Sequence, residues 1–295
     1  MSPSPPDWIR LRSDGVSAEI DPQGAQLSVL RDPHQNELLW NGDPAVWKGR
    51  APILFPIVGA LNEGRYRWQG AHHALGRHGF ARDRRFITVR HDAHEALLRL
   101  TDDAESRKVY PFAFELDVLF RAAGQLTTVA SVRNTGTVPL PASLGFHPAF
   151  RWPLPGGTAR DAHYLEFETD EPAPVRRLDA QGLLTSERHA TPVRGRRLLL
   201  EDALFIDDVI IFDQLASRSV TYGADRGSRI KVSFPDATHL GLWTRPGAGF
   251  ICIEPWRGVA DPQGFDAQFD QKPGVFVVQP GASEALTMQF EWIPG

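Results

Sequence analysis

The segment Phe112-Ala113-Phe114-Glu115-Leu116-Asp117-Val118-Leu119-Phe120 constrains the fold most, because apolar side chains return at every second residue, the period of a strand. One face of that strand is aromatic and aliphatic, so another layer must cover it. Similar segments recur with turn residues between them. Residues 16–20 run into Asp21-Pro22-Gln23-Gly24 before a second run at 25–30, and residues 126–133 end at Asn134-Thr135-Gly136. Short apolar runs follow at 208–212, 219–222, 229–234, 240–244, 250–254, 275–279 and 286–292. Glycine and proline, 26 and 24 of the 295 residues, exceed their usual combined share of roughly 12% and fall between these runs. Few windows hold a helical period. The pattern predicts an all-β protein, a large antiparallel β-sandwich in one domain over residues 1–295, with residues 1–7 as a flexible tail.

Composition narrows the function classes. A net charge of −4 and a pI near 6.2 call for neither nucleic acid nor a membrane surface as partner. The single Cys252 excludes an internal disulfide, and its apolar neighbours predict a buried thiol in a reducing compartment. Met1-Ser2-Pro3-Ser4-Pro5-Pro6 has neither the basic nor the apolar region of a signal peptide, so a cytoplasmic location is expected. Two short basic groups, Arg82/Arg84/Arg85 and Arg194/Arg196/Arg197, read as solvated faces.

Several stretches place reactive side chains under constraint. Phe250-Ile251-Cys252-Ile253 is a strand-length apolar run that ends in Glu254-Pro255-Trp256-Arg257, and Pro255, lacking an N–H, is expected to stop the ladder beside Glu254. A glutamate there most often pairs with a base such as Arg257. In Arg77-His78-Gly79-Phe80-Ala81-Arg82, the glycine permits a turn or a close approach to a ligand, which would present His78. In Ser143-Leu144-Gly145-Phe146-His147-Pro148, the proline holds His147 extended, and histidine suits proton exchange near neutral pH. Arg50 precedes an apolar segment bracketed by Pro52 and Pro56, where its fork of donors suits a hydroxylated or anionic ligand. Asp207 and Asp208 interrupt an apolar run and, on strand alternation, face opposite ways. Ten histidines invite a metal site, but no paired cysteines or His-Glu-x-x-His motif is present, and His91 and His94 would face apart on a strand. No metal and no cofactor are expected, since glycine-rich phosphate loops are also absent.

Taken in order, Ala51-Pro52-Ile53-Leu54-Phe55-Pro56-Ile57-Val58-Gly59, His78-Gly79-Phe80-Ala81-Arg82, Tyr110-Pro111-Phe112, Leu144-Gly145-Phe146-His147-Pro148-Ala149-Phe150 and Ile253-Glu254-Pro255-Trp256-Arg257-Gly258 resemble the signatures of the aldose 1-epimerase (mutarotase) family, LacX-like subgroup. The resemblance spans most of the chain and implies a sandwich of the galactose mutarotase type. It makes Glu254 the general base and His147 the general acid, with Arg50 and His78 binding sugar hydroxyls and the ring oxygen. Asp208 matches the family's sugar-binding aspartate, while Asp207 beside it leaves open which of the two faces the site. Trp243, Trp256 or Phe150 would lie against the sugar.

The implied reaction exchanges α and β anomers of a hexose by ring opening and reclosure, in a monomer or homodimer whose only partner is a small-molecule sugar. A hexose-6-phosphate mutarotase and a non-catalytic carbohydrate-binding protein remain as alternatives. A glycoside hydrolase using Glu254 and Asp208 is a further rival with less use for two presented histidines.

Overall fold

Strands joined by tight turns carry the chain in the computed structural model, which describes residues 7–295. Most of the tail expected over residues 1–7 lies outside that range. A nine-stranded antiparallel sheet runs, in spatial order, through Arg197–Leu199, Tyr164–Phe167, Ser219–Gly223, Arg229–Ser233, Ser283–Ile293, Gln125–Asn134, Phe114–Ala123, Glu95–Thr101 and Ile87–His91. The alternating segment lies inside it: Phe114, Leu116, Val118 and Phe120 are buried while the residues between them are not. The second sheet orders Ile210–Phe212, His239–Trp243, Phe250–Arg257, Leu144–Phe146 and Ile53–Leu54, with Ala149–Arg151 also paired to Phe250–Arg257.

The two sheets close on one core. Phe150 meets Phe290 edge to face at 5.3 Å, and Phe167 meets Phe212 at 5.2 Å, each pair joining one sheet to the other. The fold is thus an antiparallel β-sandwich. It opens with a three-stranded meander, Ile9–Arg12, Ser17–Asp21 and Gln26–Arg31. A single α-helix, Ala104–Val109, occurs among the described residues, started by a capping box in which the Asp103 side chain accepts from the Ser106 N–H. No helix described is long and apolar enough to cross a membrane.

Two expectations about local structure change. Pro255 does not stop its strand, which continues to Arg257 with Leu240 opposite Pro255 and His239 opposite Trp256. The run at 208–212 is strand only over Ile210–Phe212. Asp202–Phe205 forms a 3-10 turn ahead of it, and Asp208 takes a left-handed φ of 63°. Strand alternation therefore does not govern the two aspartates.

One buried ion pair ties the loops that wall the second sheet. Lys272 Nζ donates to Asp261 Oδ1 at 2.7 Å with both side chains almost fully enclosed, and Asp261 Oδ2 accepts the Asn62 N–H at 2.9 Å. The Asp261 N–H in turn donates to the Ala60 carbonyl. Removing one partner leaves the other charge buried, at a cost of about 3–5 kcal/mol. Urea denaturation should show Lys272→Met destabilised by that order, and Lys272→Met combined with Asp261→Leu destabilised by less than the single change.

Candidate active site

The register of the second sheet builds the site. Gly145 stands opposite Trp256 and Ala149 opposite Cys252, so the ladder places His147 opposite Glu254. Both chains lack an amide hydrogen nearby, at Pro148 and Pro255, and the ladder lapses between those two ladder pairs except for an Ile253 N–H to Pro148 carbonyl bond. Cys252, Glu254 and Trp256 alternate with Ile251 and Ile253, which face the core. On the other flank Gly241 stands opposite Glu254 and Trp243 opposite Cys252. The glycines make room: a Cβ on Gly241 would come within 2.4 Å of the Trp256 ring, and one on Gly145 within 2.7 Å. Trp256 therefore lies across both positions as the floor of a cavity.

That cavity encloses about 240 Å³, lined by His78, His147, Asp208, Trp243 and Glu254 together with Trp47, Arg77, Arg82, Arg245 and Trp256. That volume is on the scale of one sugar ring rather than a chain of them. His147 Nε2 and Glu254 Oε2 are 3.2 Å apart, and the two residues are 9% and 1% exposed. The oxygen is out of line for a formed hydrogen bond, and His147 Nδ1 is also unpaired. Trp47 stacks on the His147 ring at 5.1 Å, and Trp243 meets the same ring edge-on at 5.8 Å. The imidazole is thereby fixed in orientation.

His78 is held by a reciprocal pair with Gly59. The His78 N–H donates to the Gly59 carbonyl at 2.9 Å, and the Gly59 N–H donates to His78 Nδ1 at 3.1 Å. A backbone N–H can only donate, so Nδ1 is unprotonated and the neutral ring carries its hydrogen on Nε2. The left-handed φ of 66° at His78 is held by these bonds. Gly79 is required for packing rather than for a ligand, since a Cβ there would sit 2.1 Å from the Phe55 carbonyl oxygen.

Burial governs the ionisation of the pair. It pushes the Glu254 carboxyl well above the usual carboxylate range, with the charge of Asp208 adding to the rise. It also lowers the His147 imidazole, together with the charge of Arg82, to about 3. Burial likewise depresses His78, reinforced by His147, Arg82 and Arg77. Burial thus favours a carboxylic acid facing a neutral imidazole, rather than the carboxylate and imidazolium expected from reference values.

Asp208, half-buried, lines the cavity, whereas Asp207 is exposed. Trp243 and Trp256 line it too, but Phe150 points into the core. Arg50 is not brought to the site. Its guanidinium donates to the Ser28 carbonyl at 2.8 Å and lies over the Trp8 ring, because its own carbonyl is engaged by the Ala149 N–H and its side chain is drawn toward the N-terminal meander. Nor does Arg257 pair with Glu254; it reaches Glu284 at 2.8 Å. Arginine instead comes from Arg77, Arg82 and Arg245. Arg82 belongs to a group read as a solvated face, from which Arg84 and Arg85 do pair outward with Asp103 and Asp7. The His78 stretch held a signal for Arg77 and Arg82, but nothing in the chain near Arg245 marked it.

The fold and this cavity define a galactose mutarotase-like sandwich. A galactose mutarotase related enzyme from Lactobacillus acidophilus superposes with a TM-score of 0.90 at 28% identity over 97% of each chain. A galactose mutarotase-like protein from Lactobacillus casei gives 0.89 at 27% identity, over 97% of this chain and 99% of that one. The protein LacX of Lactococcus lactis subsp. lactis is 32% identical over 283 residues, 92% of this chain and 95% of its own. The sequence profile of aldose 1-epimerases matches residues 7–291, and the chain belongs to that family.

The buried acid carries a stability signature. Because the folded Glu254 carboxyl titrates above its unfolded value, the folded state holds a proton the unfolded state has lost, and stability falls as pH rises through that window. Glu254→Gln has no such group. Thermal melts should show the variant gaining on wild type from about pH 4 upward, by roughly 1.5–2 °C for each kcal/mol at this size; a difference independent of pH would contradict the burial argument.

Proposed function

We propose that the protein is an aldose 1-epimerase that interconverts the α and β anomers of a hexose, with Glu254 and His147 exchanging the protons. The observation that carries this reading is the placement of one carboxyl group opposite one imidazole, 3.2 Å apart, in a cavity of monosaccharide size. Opening the hemiacetal removes a proton from the C1 hydroxyl and delivers one to the ring oxygen; closure on the other face reverses both transfers. The pair needs to hold one proton in total. Carboxylic acid with imidazole and carboxylate with imidazolium have the same net charge, and a small rotation that brings Nε2 and Oε2 into line lets the proton cross to the second form. Glu254 then accepts from the C1 hydroxyl while His147 donates to the ring oxygen. His78 offers its Nε2–H to the sugar, Asp208 accepts from a hydroxyl, and Trp243 and Trp256 provide apolar faces for the ring.

Polarimetry of freshly dissolved α-D-glucose and α-D-galactose tests this directly. Wild type should accelerate mutarotation over the spontaneous rate, and Glu254→Gln and His147→Asn should each lose about 10²–10⁴-fold. The rate should hold between an acid limb near pH 3, where His147 takes a second proton, and an alkaline limb above the ordinary carboxylate range, where Glu254 loses its own. Sugar binding without acceleration would favour the non-catalytic alternative.

One observation favours a second reading, in which the hexose carries a phosphate. Arg77 and Arg245 line the cavity and are exposed, and neither pairs with a carboxylate among the described residues. Arg77 reaches only the Gln181 carbonyl, at 3.5 Å. Hydrogen bonds to a charged group contribute about 1.5–3 kcal/mol each. On this reading Arg77→Gln or Arg245→Gln lowers kcat/KM for glucose 6-phosphate by about 10- to 100-fold and leaves glucose nearly unchanged; equal effects on both sugars would reject it.

A further inference from the structure

Cys252 lies two residues before Glu254 on the same face of the strand Phe250–Arg257, beneath the acid and the histidine opposite it. A His147 ring nitrogen, the Cys252 Sγ and a Glu254 carboxylate oxygen all lie within 4.8 Å of one another, and all three residues are buried. These are the three donor types that bind zinc, at bond lengths of about 2.0–2.3 Å. Tetrahedral bonds of that length draw ligand atoms to about 3.5 Å from one another, so the cluster closes on an ion with side-chain shifts of under about 1 Å.

A second observation points the same way. Glu254 Oε2 is buried and has no hydrogen-bond partner, an acceptor left unsatisfied at the centre of the cluster. Two of the three ligands, His147 and Glu254, line the cavity, which gives room for a water to complete the set, as at zinc sites that keep one exchangeable ligand. The side-chain set also selects among ions: thiolate and imidazole favour zinc-type cations over magnesium or calcium.

We propose that His147, Cys252 and Glu254 form a binding site for a single thiophilic divalent cation of the zinc type, which excludes sugar and arrests the epimerase while it is bound. The thiol and the carboxyl give up their protons to solvent as the ion enters, and its double charge offsets the two buried anions that result. The ion thereby takes both groups that would exchange protons with the sugar. His91 and His94, the pair weighed from the sequence, lie elsewhere, on an exposed strand and the turn after it. Only the inhibition rests on the epimerase reading; the binding does not.

Isothermal titration of the intact protein with Zn²⁺, and absorption spectroscopy with Co²⁺, test the site without any turnover. Wild type should bind one Zn²⁺ per chain and show a near-ultraviolet thiolate-to-cobalt band. Cys252→Ser should lose the band and at least about 100-fold in affinity, with Cys252→Ala as a second variant and circular dichroism confirming that each folds. In polarimetry, Zn²⁺ should slow wild type and spare Cys252→Ser, whose rate without metal is unchanged. Equal Zn²⁺ affinity in wild type and Cys252→Ser, absence of the thiolate band, or loss of binding in His91→Asn/His94→Asn with retention in Cys252→Ser would overturn the proposal. If no sugar is turned over, the epimerase reading fails while the binding measurements still decide the metal site.

Discussion

The strand Phe250–Arg257 serves two environments at once, and the rest of the structure is arranged around that fact. Ile251 and Ile253 enter the core between the sheets, while Cys252, Glu254 and Trp256 project from the other face. Such a strand has no solvated side, so every polar group on it needs a partner within the protein or a ligand. Its neighbours supply glycine at two facing positions, Gly145 and Gly241, and the Trp256 ring fills the space they leave as the floor of the cavity.

Placing a carboxyl group there has an electrostatic consequence that suits proton transfer. Burial disfavours both the carboxylate and the imidazolium, raising one group and lowering the other until each rests uncharged. A polar ligand in the cavity can supply the hydrogen bonds that the unpaired Glu254 and His147 atoms lack. The same deficit makes the pair receptive to a polar ligand. The walls are held by separate means: Asp261 and Lys272 anchor the loop behind Gly59, and the Gly59–His78 bonds fix the second histidine.

Some of this was legible in the chain. The alternation at Phe114–Ala123 and the spacing of turn residues predicted a large antiparallel sandwich, because side-chain period and turn chemistry are local properties. Pro148 beside His147 and Pro255 beside Glu254 marked constrained positions, though the constraint proved to be a gap in a ladder and not the end of a strand. Arg50 was misplaced since a side chain of that length chooses among partners brought together by folding, here Ser28 and Trp8. Asp208 was singled out, but its direction depended on a left-handed turn that strand alternation does not describe.

The sequence by itself determined the class of fold, the buried thiol at Cys252 and the identity of the carboxylate and histidines under constraint, since periodicity, prolines and residue chemistry act over a few neighbouring positions. Only the tertiary structure decided that Glu254 faces His147 rather than Arg257, and that Arg77, Arg82 and Arg245 instead of Arg50 border the cavity. Those choices rest on register between strands more than a hundred residues apart and on how burial shifts the charge state of each group, and both exist only once the two sheets have closed.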